Sequence, residues 1–372
     1  MEVTMLLSRL DQTGMTTHTL DLAGALVRKG VKVTVITGWN ENKDDVADAL
    51  KMRLVGTGAS VKTFYAPNRK SGIRSIFSAI CLLNIIVRSG GVLHVQSPYL
   101  SWAPWLLGRK FISTLHVADL VKCLYYKNAT HLIAISNETK EYAQRVFGYK
   151  DDDITIINHG VSEEFAAVDD HDTIVKNRKR LKLPVDKLIL TIVGSIEPRK
   201  GHDILLKAVA QLKSESRSKI HIVFLGSDKT ESRDNKRWLE RTIAETHTAD
   251  IVSHFEYQDS KLFYRISDIF LLPSWLEGFP LVVVEAMLSG CLCIRTDAEG
   301  AFEQIINGET GYVFPKGDVN ALTHILENVI NDDELRSRIS MAGRQYALTH
   351  FVSDVMAANT IEVYKKLQNN NE

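Results

Sequence analysis

Along the first half of the chain, short apolar runs rich in β-branched residues alternate with longer stretches of helical spacing. The runs fall at residues 3–7, 31–37, 93–96, 111–115 and 132–135. Continuous apolar runs of this kind read as strands buried on both faces, and their alternation with helical stretches predicts a parallel sheet with crossover helices. The rhythm restarts at residues 188–193 and continues at 220–225, 251–255, 269–272 and 292–295. The fold class expected is therefore α/β, with two doubly wound, Rossmann-like domains. Residues 166–184 are polar, hold Asp169, Asp170, Asp172, Arg178, Lys179 and Arg180, and offer no strand pattern. We read them as a linker between an N-terminal domain, 1–165, and a C-terminal domain, 185–351. From Ala321 onward the spacing is helical, and the last stretch, 352–372, is expected to pack back on the first domain.

Composition narrows the function classes. A chain of 372 residues exceeds what one hydrophobic core usually supports. Its 45 Lys and Arg balance 45 Asp and Glu, which argues against a protein that grips nucleic acid by bulk charge. The four cysteines, Cys81, Cys123, Cys291 and Cys293, show no CxxC spacing. They are expected to be reduced core thiols, which points to a cytoplasmic location. The N-terminus lacks a basic region ahead of a long apolar stretch and reads as a first strand rather than a secretion signal. The apolar run at 76–87 is too short to span a bilayer and contains Asn84.

In open parallel sheets, ligands sit beyond the carboxyl ends of the strands, so two facing sheets imply a central cleft lined by strand-to-helix loops. Within 271–287 a strand ends near Pro273, a loop follows, and a helix begins close to Leu281. The amides of Phe279, Pro280, Leu281 and Val282 are expected in its first turn, where free N–H groups favour a diphosphate. Gly278 permits close backbone approach, and Glu277 and Glu285 are carboxylates able to accept hydrogen bonds from sugar hydroxyls. Within 190–202, a strand runs into Gly194 and then Arg199 and Lys200, one a bidentate phosphate binder and the other a mobile point charge. An ordinary basic loop carries the same residues; the place after a strand favours function. His116 lies just beyond the strand at 111–115 and Gly14 at the start of an amphipathic helix, where Thr13 or Asp11 serves equally as a cap.

The pair Glu277 and Glu285, in its setting of strand, loop and apolar helix, resembles the paired-glutamate motif of the retaining glycosyltransferases of family 4, which have the GT-B fold. The resemblance covers nearly the whole chain. It implies that Glu285 holds the donor ribose, that Glu277 lies near the donor sugar, and that Arg199 and Lys200 bind the phosphates. It also implies that His116 faces the donor sugar, and that Gly226, Ser227 and Tyr257 sit where the nucleobase binds, its identity left open. Gly14 matches one of two adjacent glycines, with Thr13 in place of the other; Glu303 matches a further position, and Glu299 replaces a usual glycine. Ser136 and Asn158 read equally as cleft contacts or as cap and turn residues.

The function so implied is transfer of a hexose or N-acetylhexosamine from a nucleotide-diphosphate sugar, UDP-linked by preference, to a glycan or lipid-linked acceptor in cell-surface polysaccharide synthesis. His116, Arg199, Lys200 and Glu277 are the catalytic candidates. No cofactor or metal is expected, and the Asp-x-Asp spacing within Asp151, Asp152 and Asp153 reads as a solvated turn rather than a cation site. Arg69, Lys70 and Arg74 precede apolar residues in the acceptor-side domain, a pattern that suits contact with the inner face of a membrane as well as a solvated helix start. Two rivals share the shape: a non-hydrolysing nucleotide-sugar epimerase, and a noncatalytic partner subunit. A dinucleotide-binding dehydrogenase is disfavoured because no GxGxxG follows the first strand.

Overall fold

The computed structural model describes residues 1–11, 13–39, 45–66, 72–230 and 232–369. The chain forms two compact units, Met1–Val161 with Val352–Glu372, and Ser162–Phe351. Arg69 and Lys70 of the basic segment lie outside the described residues.

The first unit is built on strands β1 (Glu2–Leu7), β2 (Lys32–Trp39), β3 (Ser60–Tyr65), β4 (Val92–Val95), β5 (Phe111–Leu115), β6 (His131–Ala134) and β7 (Ile154–Ile156). All seven pair in parallel in the order β3-β2-β1-β4-β5-β6-β7. Val3 pairs with Val33 on one side and Val92 on the other, so β1 is central and its side chains are buried on both faces, as its apolar run requires. The helix Gly14–Arg28 begins at Thr13, whose hydroxyl accepts from the Thr16 N–H. Its Leu20, Ala23 and Leu26 share a core with Met356, Val363, Tyr364 and Leu367 of the C-terminal helix Ser353–Asn369. The return is fastened by a parallel bridge between Val161 and Val352, with the Ser353 N–H donating to the Val161 carbonyl at 2.8 Å.

The second unit carries β8 (Leu188–Val193), β9 (Ile220–Leu225), β10 (Val252–Phe255), β11 (Ile269–Leu272), β12 (Leu292–Thr296) and β13 (Tyr312–Phe314), again all parallel, in the order β10-β9-β8-β11-β12-β13. Both sheets reverse direction of growth beside their first strand, which defines a doubly wound α/β architecture.

Several local expectations need correction. Residues 166–184 are not a bare linker: they contain the helix His171–Arg180, capped by Asp170 and belonging to the second unit. What holds it is Arg178, 8% exposed, which donates to the Ile266 carbonyl and pairs with Asp268 at 2.8 Å. Asp268 also accepts from the Ile189 N–H at 2.7 Å, so the helix is tied to the start of β8. Cys123 is exposed rather than a core thiol, whereas Cys291 and Cys293 are buried around β12; none of the four is paired. Asp151–Asp153 forms a single 3-10 turn, with Asp151 paired to Lys140 at 2.5 Å. Among the described residues no helix is long and apolar enough to cross a membrane. The helix Gly72–Val87 nevertheless turns Ile73, Ile76, Phe77 and Ile80 outward, between 57% and 84% exposed.

Candidate active site

In the second unit the loops that follow β8, β9, β11 and β12 emerge at the carboxyl edge of one parallel sheet, and the backbone packs them tightly. At Gly226, after β9, a Cβ would lie 1.7 Å from the Gly194 carbonyl oxygen of the loop after β8. At Gly201, whose φ is +72°, a Cβ would lie 1.9 Å from the Pro273 carbonyl oxygen of the loop after β11. Only glycine satisfies either approach. The Trp275 N–H donates to the Arg199 carbonyl at 2.9 Å and completes the seam between the two loops.

That seam brings the charged candidates together. Lys200 Nζ donates to Glu277 Oε1 at 2.6 Å, with side chains only 13% and 10% exposed. Arg199 Nη1 lies 3.9 Å from the same oxygen and donates to the Leu276 carbonyl at 2.7 Å, while Nη2 pairs with Glu197 at 2.9 Å. Glu197 also accepts from the Ser195 hydroxyl at 2.6 Å. Partial burial pulls its carboxyl up, but that hydrogen bond and the Arg199 charge outweigh it and hold the group below its ordinary range. The Glu277 N–H donates to Glu299 Oε2 at 3.3 Å, so the loop after β12 closes the other side. Two cations and three carboxylates thus share one edge, and Lys200 is held by a carboxylate that an incoming diphosphate can replace.

The helix Leu281–Leu288 starts beside this group with Pro280 at its N-cap. The expected array of four amides is shorter than anticipated, because Pro280 has no N–H to offer. Leu281 and Val282 supply first-turn donors, and the side chains of Phe279 and Leu281 are buried, Phe279 edge-on to Phe351 at 5.5 Å. Glu285 lies one turn in, and its Oε2 accepts from the Tyr264 hydroxyl at 2.8 Å. Burial pushes its carboxyl up to about 7, against the opposing pull of the Tyr264 hydrogen bond and the Lys261 charge. Tyr257 is exposed after β10, its N–H donating to the Ser227 hydroxyl at 3.0 Å, beside Gly226. Glu303 falls in the short helix Ala301–Gln304.

In the first unit His116 is not alone. Its Nε2 lies 3.1 Å from Gln96 Oε1 and its Nδ1 3.4 Å from His159 Nε2, with His18 edge-on at 5.0 Å. Gln96 in turn touches His94, which contacts Tyr364 and Thr114, each at 2.7 Å. Burial lowers His94 and His116 to about 3, and His18 and His159 well below 6.5, so the group is neutral at physiological pH. With Gln96 accepting, His116 carries its proton on Nε2. Gly14 has no atom within 4 Å of where a Cβ would stand, so sterics do not demand glycine there. Ser136 caps the helix Asn137–Tyr142 and Asn158 donates to the Ile135 carbonyl at 2.9 Å, which gives both a structural task. Gln96, His18, His94, His159, Tyr264 and Glu197 escaped the sequence reading. Polar residues inside a buried run, His94 and Gln96 above all, were the available signal. Among the described residues no three His, Cys, Asp or Glu side chains are grouped to hold a metal ion.

Two family descriptions match the chain, Glycosyltransferase Family 4 over residues 12–165 and Glycosyl transferases group 1 over residues 174–346. The capsular polysaccharide biosynthesis glycosyltransferase CapM of Staphylococcus aureus is 29% identical over 233 residues, 61% of this chain and 59% of that protein. The chain spans about half the length of the first curated relatives it matches, 48% to 59% of each. Among solved structures, a glycosyltransferase from Rickettsia africae superposes with a TM-score of 0.84 at 20% identity, covering 99% of both chains. Anabaena HepE in complex with UDP gives 0.82 at 17% identity, covering 98% of this chain and 100% of that one. The shared fold is the two-domain α/β arrangement of GT-B glycosyltransferases.

Proposed function

Because the chain belongs to glycosyltransferase family 4, matched over both of its units, we propose that it is a retaining glycosyltransferase. It moves a hexose or N-acetylhexosamine from a UDP-sugar to a glycan or lipid-linked acceptor in cell-surface polysaccharide synthesis. The observation that carries this reading is the Lys200–Glu277 pair at 2.6 Å, with Arg199 alongside, at the start of the helix Leu281–Leu288. The UDP complex of a protein with the same fold and the name of the CapM relative add support for the donor and for the pathway class.

In this reading the donor diphosphate draws Lys200 away from Glu277 and takes Arg199 and the first-turn amides of Leu281 and Val282 as further donors. Glu277, released, accepts from a hydroxyl of the donor sugar, and Glu285 accepts from the ribose. By the family resemblance His116, neutral and held by Gln96 and His159, is a contact of the donor sugar. The bond from the anomeric carbon to the phosphate oxygen breaks as the acceptor oxygen approaches from the same face, and the leaving phosphate takes the acceptor's proton. The enzyme's share is electrostatic: cations and helix N–H groups stabilise charge on the departing diphosphate, so no divalent ion is called for. The outward residues Ile73, Ile76, Phe77 and Ile80, with Arg74 exposed among them, support docking on an anionic membrane surface that carries the acceptor.

A thermal-shift panel of nucleoside diphosphates and their sugars, run with EDTA, tests the donor site, because a ligand that binds the folded state raises its melting temperature. Selective stabilisation by UDP and UDP-sugars is expected. No response to any diphosphate would favour the noncatalytic partner, and turnover of UDP-sugar without any acceptor would favour the epimerase. The anomeric configuration of the product, read by NMR, tests retention.

A further inference from the structure

We propose that Tyr264 is a positioning residue of the donor site, its hydroxyl holding one oxygen of Glu285 so that the other is presented, as a carboxylate, to the ribose hydroxyls. This rests on the reading of Glu285 as the ribose contact.

Tyr264 belongs to the short helix Ser260–Arg265, which packs on the helix Leu281–Leu288. Its ring is fully buried, edge-on to Phe165 at 6.0 Å and to Phe270 at 5.7 Å, so its direction is set by packing. Among the described residues the hydroxyl bonds only to Glu285 Oε2, at 2.8 Å. Burial and the adjacent carboxylate push the phenol well above 10, so it remains a donor throughout the working range. A phenylalanine fills the same space, so among the described residues Glu285 is the group that the hydroxyl serves.

Burial opposes ionisation of Glu285, and a protonated carboxyl loses acceptor capacity towards a diol. The charged groups around it do little to offset this. Lys261 and Asp259, at the start of the Tyr264 helix, act in opposite senses. Lys261 is paired with Glu164 of the packed turn Glu163–Ala166, which also holds Glu163. From the helix Asp333–His350, Arg344 is committed to the Leu288 and Ala166 carbonyls. Arg295 of β12 is bound to Gln304 and to the Ala298 and Glu299 carbonyls. Cys291 lies behind Tyr264, its Sγ bonded to the Tyr264 carbonyl at 3.3 Å. The Tyr264 hydrogen bond is the direct contact that favours the ionised form.

The test is a carboxyl carbon-13 NMR titration of the full chain labelled at glutamate, with Glu285→Gln identifying the signal, alongside UDP affinity measured by calorimetry between pH 6 and 8.5. In Tyr264→Phe the Glu285 midpoint should rise by about one unit. UDP affinity at pH 7 should fall about fivefold and recover at pH 8.5, with 2′,3′-dideoxy-UDP indifferent to the substitution. An unchanged midpoint overturns the proposal, as does an equal loss of affinity at every pH. If Glu285→Gln leaves UDP affinity untouched, the ribose reading fails, while the titration still decides whether Tyr264 governs the carboxylate.

Discussion

Lys200 and Glu277 neutralise one another with little access to solvent, so each depends on the other in the resting protein. Removing one partner of such a pair costs more than the pair contributes. Lys200→Ala should lower unfolding free energy by about 3 kcal/mol and turnover by about 100-fold, whereas adding Glu277→Gln should restore most of the stability and none of the turnover. Urea unfolding and initial rates separate the two effects; parallel recovery of both would contradict a phosphate role for Lys200. The histidines of the first unit give a second prediction at this scale. Burial lowers all four below 6.5, so below that pH the unfolded chain binds more protons than the folded one. Their contribution is complete above 6.5 and is lost as pH falls below it, towards about 3 for His94 and His116. At pH 5 each costs up to about 2 kcal/mol, and melts from pH 7.5 to 5 should show the decline. The charged loop was legible because Arg199, Lys200, Glu277 and Glu285 lie in two contiguous segments. The histidine group was not, because His18, His94, His116 and His159 come from separate elements and only the folded sheet assembles them.

Elements were read where burial forces an uninterrupted apolar run, as in β1 and β8, and missed where it does not. β3 is an edge strand whose Ser60, Lys62 and Thr63 are exposed, and β13 has three residues. The helix His171–Arg180 offers only Ile174 and Val175 as apolar residues, and its anchor Arg178 is fixed, besides the Lys187 carbonyl, by Ile266 and Asp268, about ninety positions away, which no local window contains. Close approach at the loop seam predicts that Gly226→Ala, forced against the Gly194 carbonyl, destabilises the protein by about 2–4 kcal/mol in chemical unfolding. The outward face of Gly72–Val87 predicts the reverse pattern. Ile76→Glu with Phe77→Glu should leave stability within about 1 kcal/mol, since both residues are exposed. Sedimentation with anionic vesicles should nevertheless drop severalfold, and unchanged binding would remove this face from the membrane reading.

At the scale of the molecule, the chain leaves the first unit after Val161, builds the whole second unit, and returns at Val352. The returning helix supplies Met356, Val363, Tyr364 and Leu367 to the first core, and its Tyr364 meets His94. A chain ending at Phe351 should therefore keep a cooperative unfolding transition for the second unit and lose that of the first, as hydrogen exchange would reveal. Expectations at this scale were set by the strand rhythm and held for the α/β class, because that rhythm is a property of buried parallel strands rather than of any one residue. The interruption also orders events at birth. A ribosome releases the contiguous second unit in one passage, but the first, begun before it, stays open until the helix Ser353–Asn369 emerges, so of the two units the one started earlier is the later to close its core.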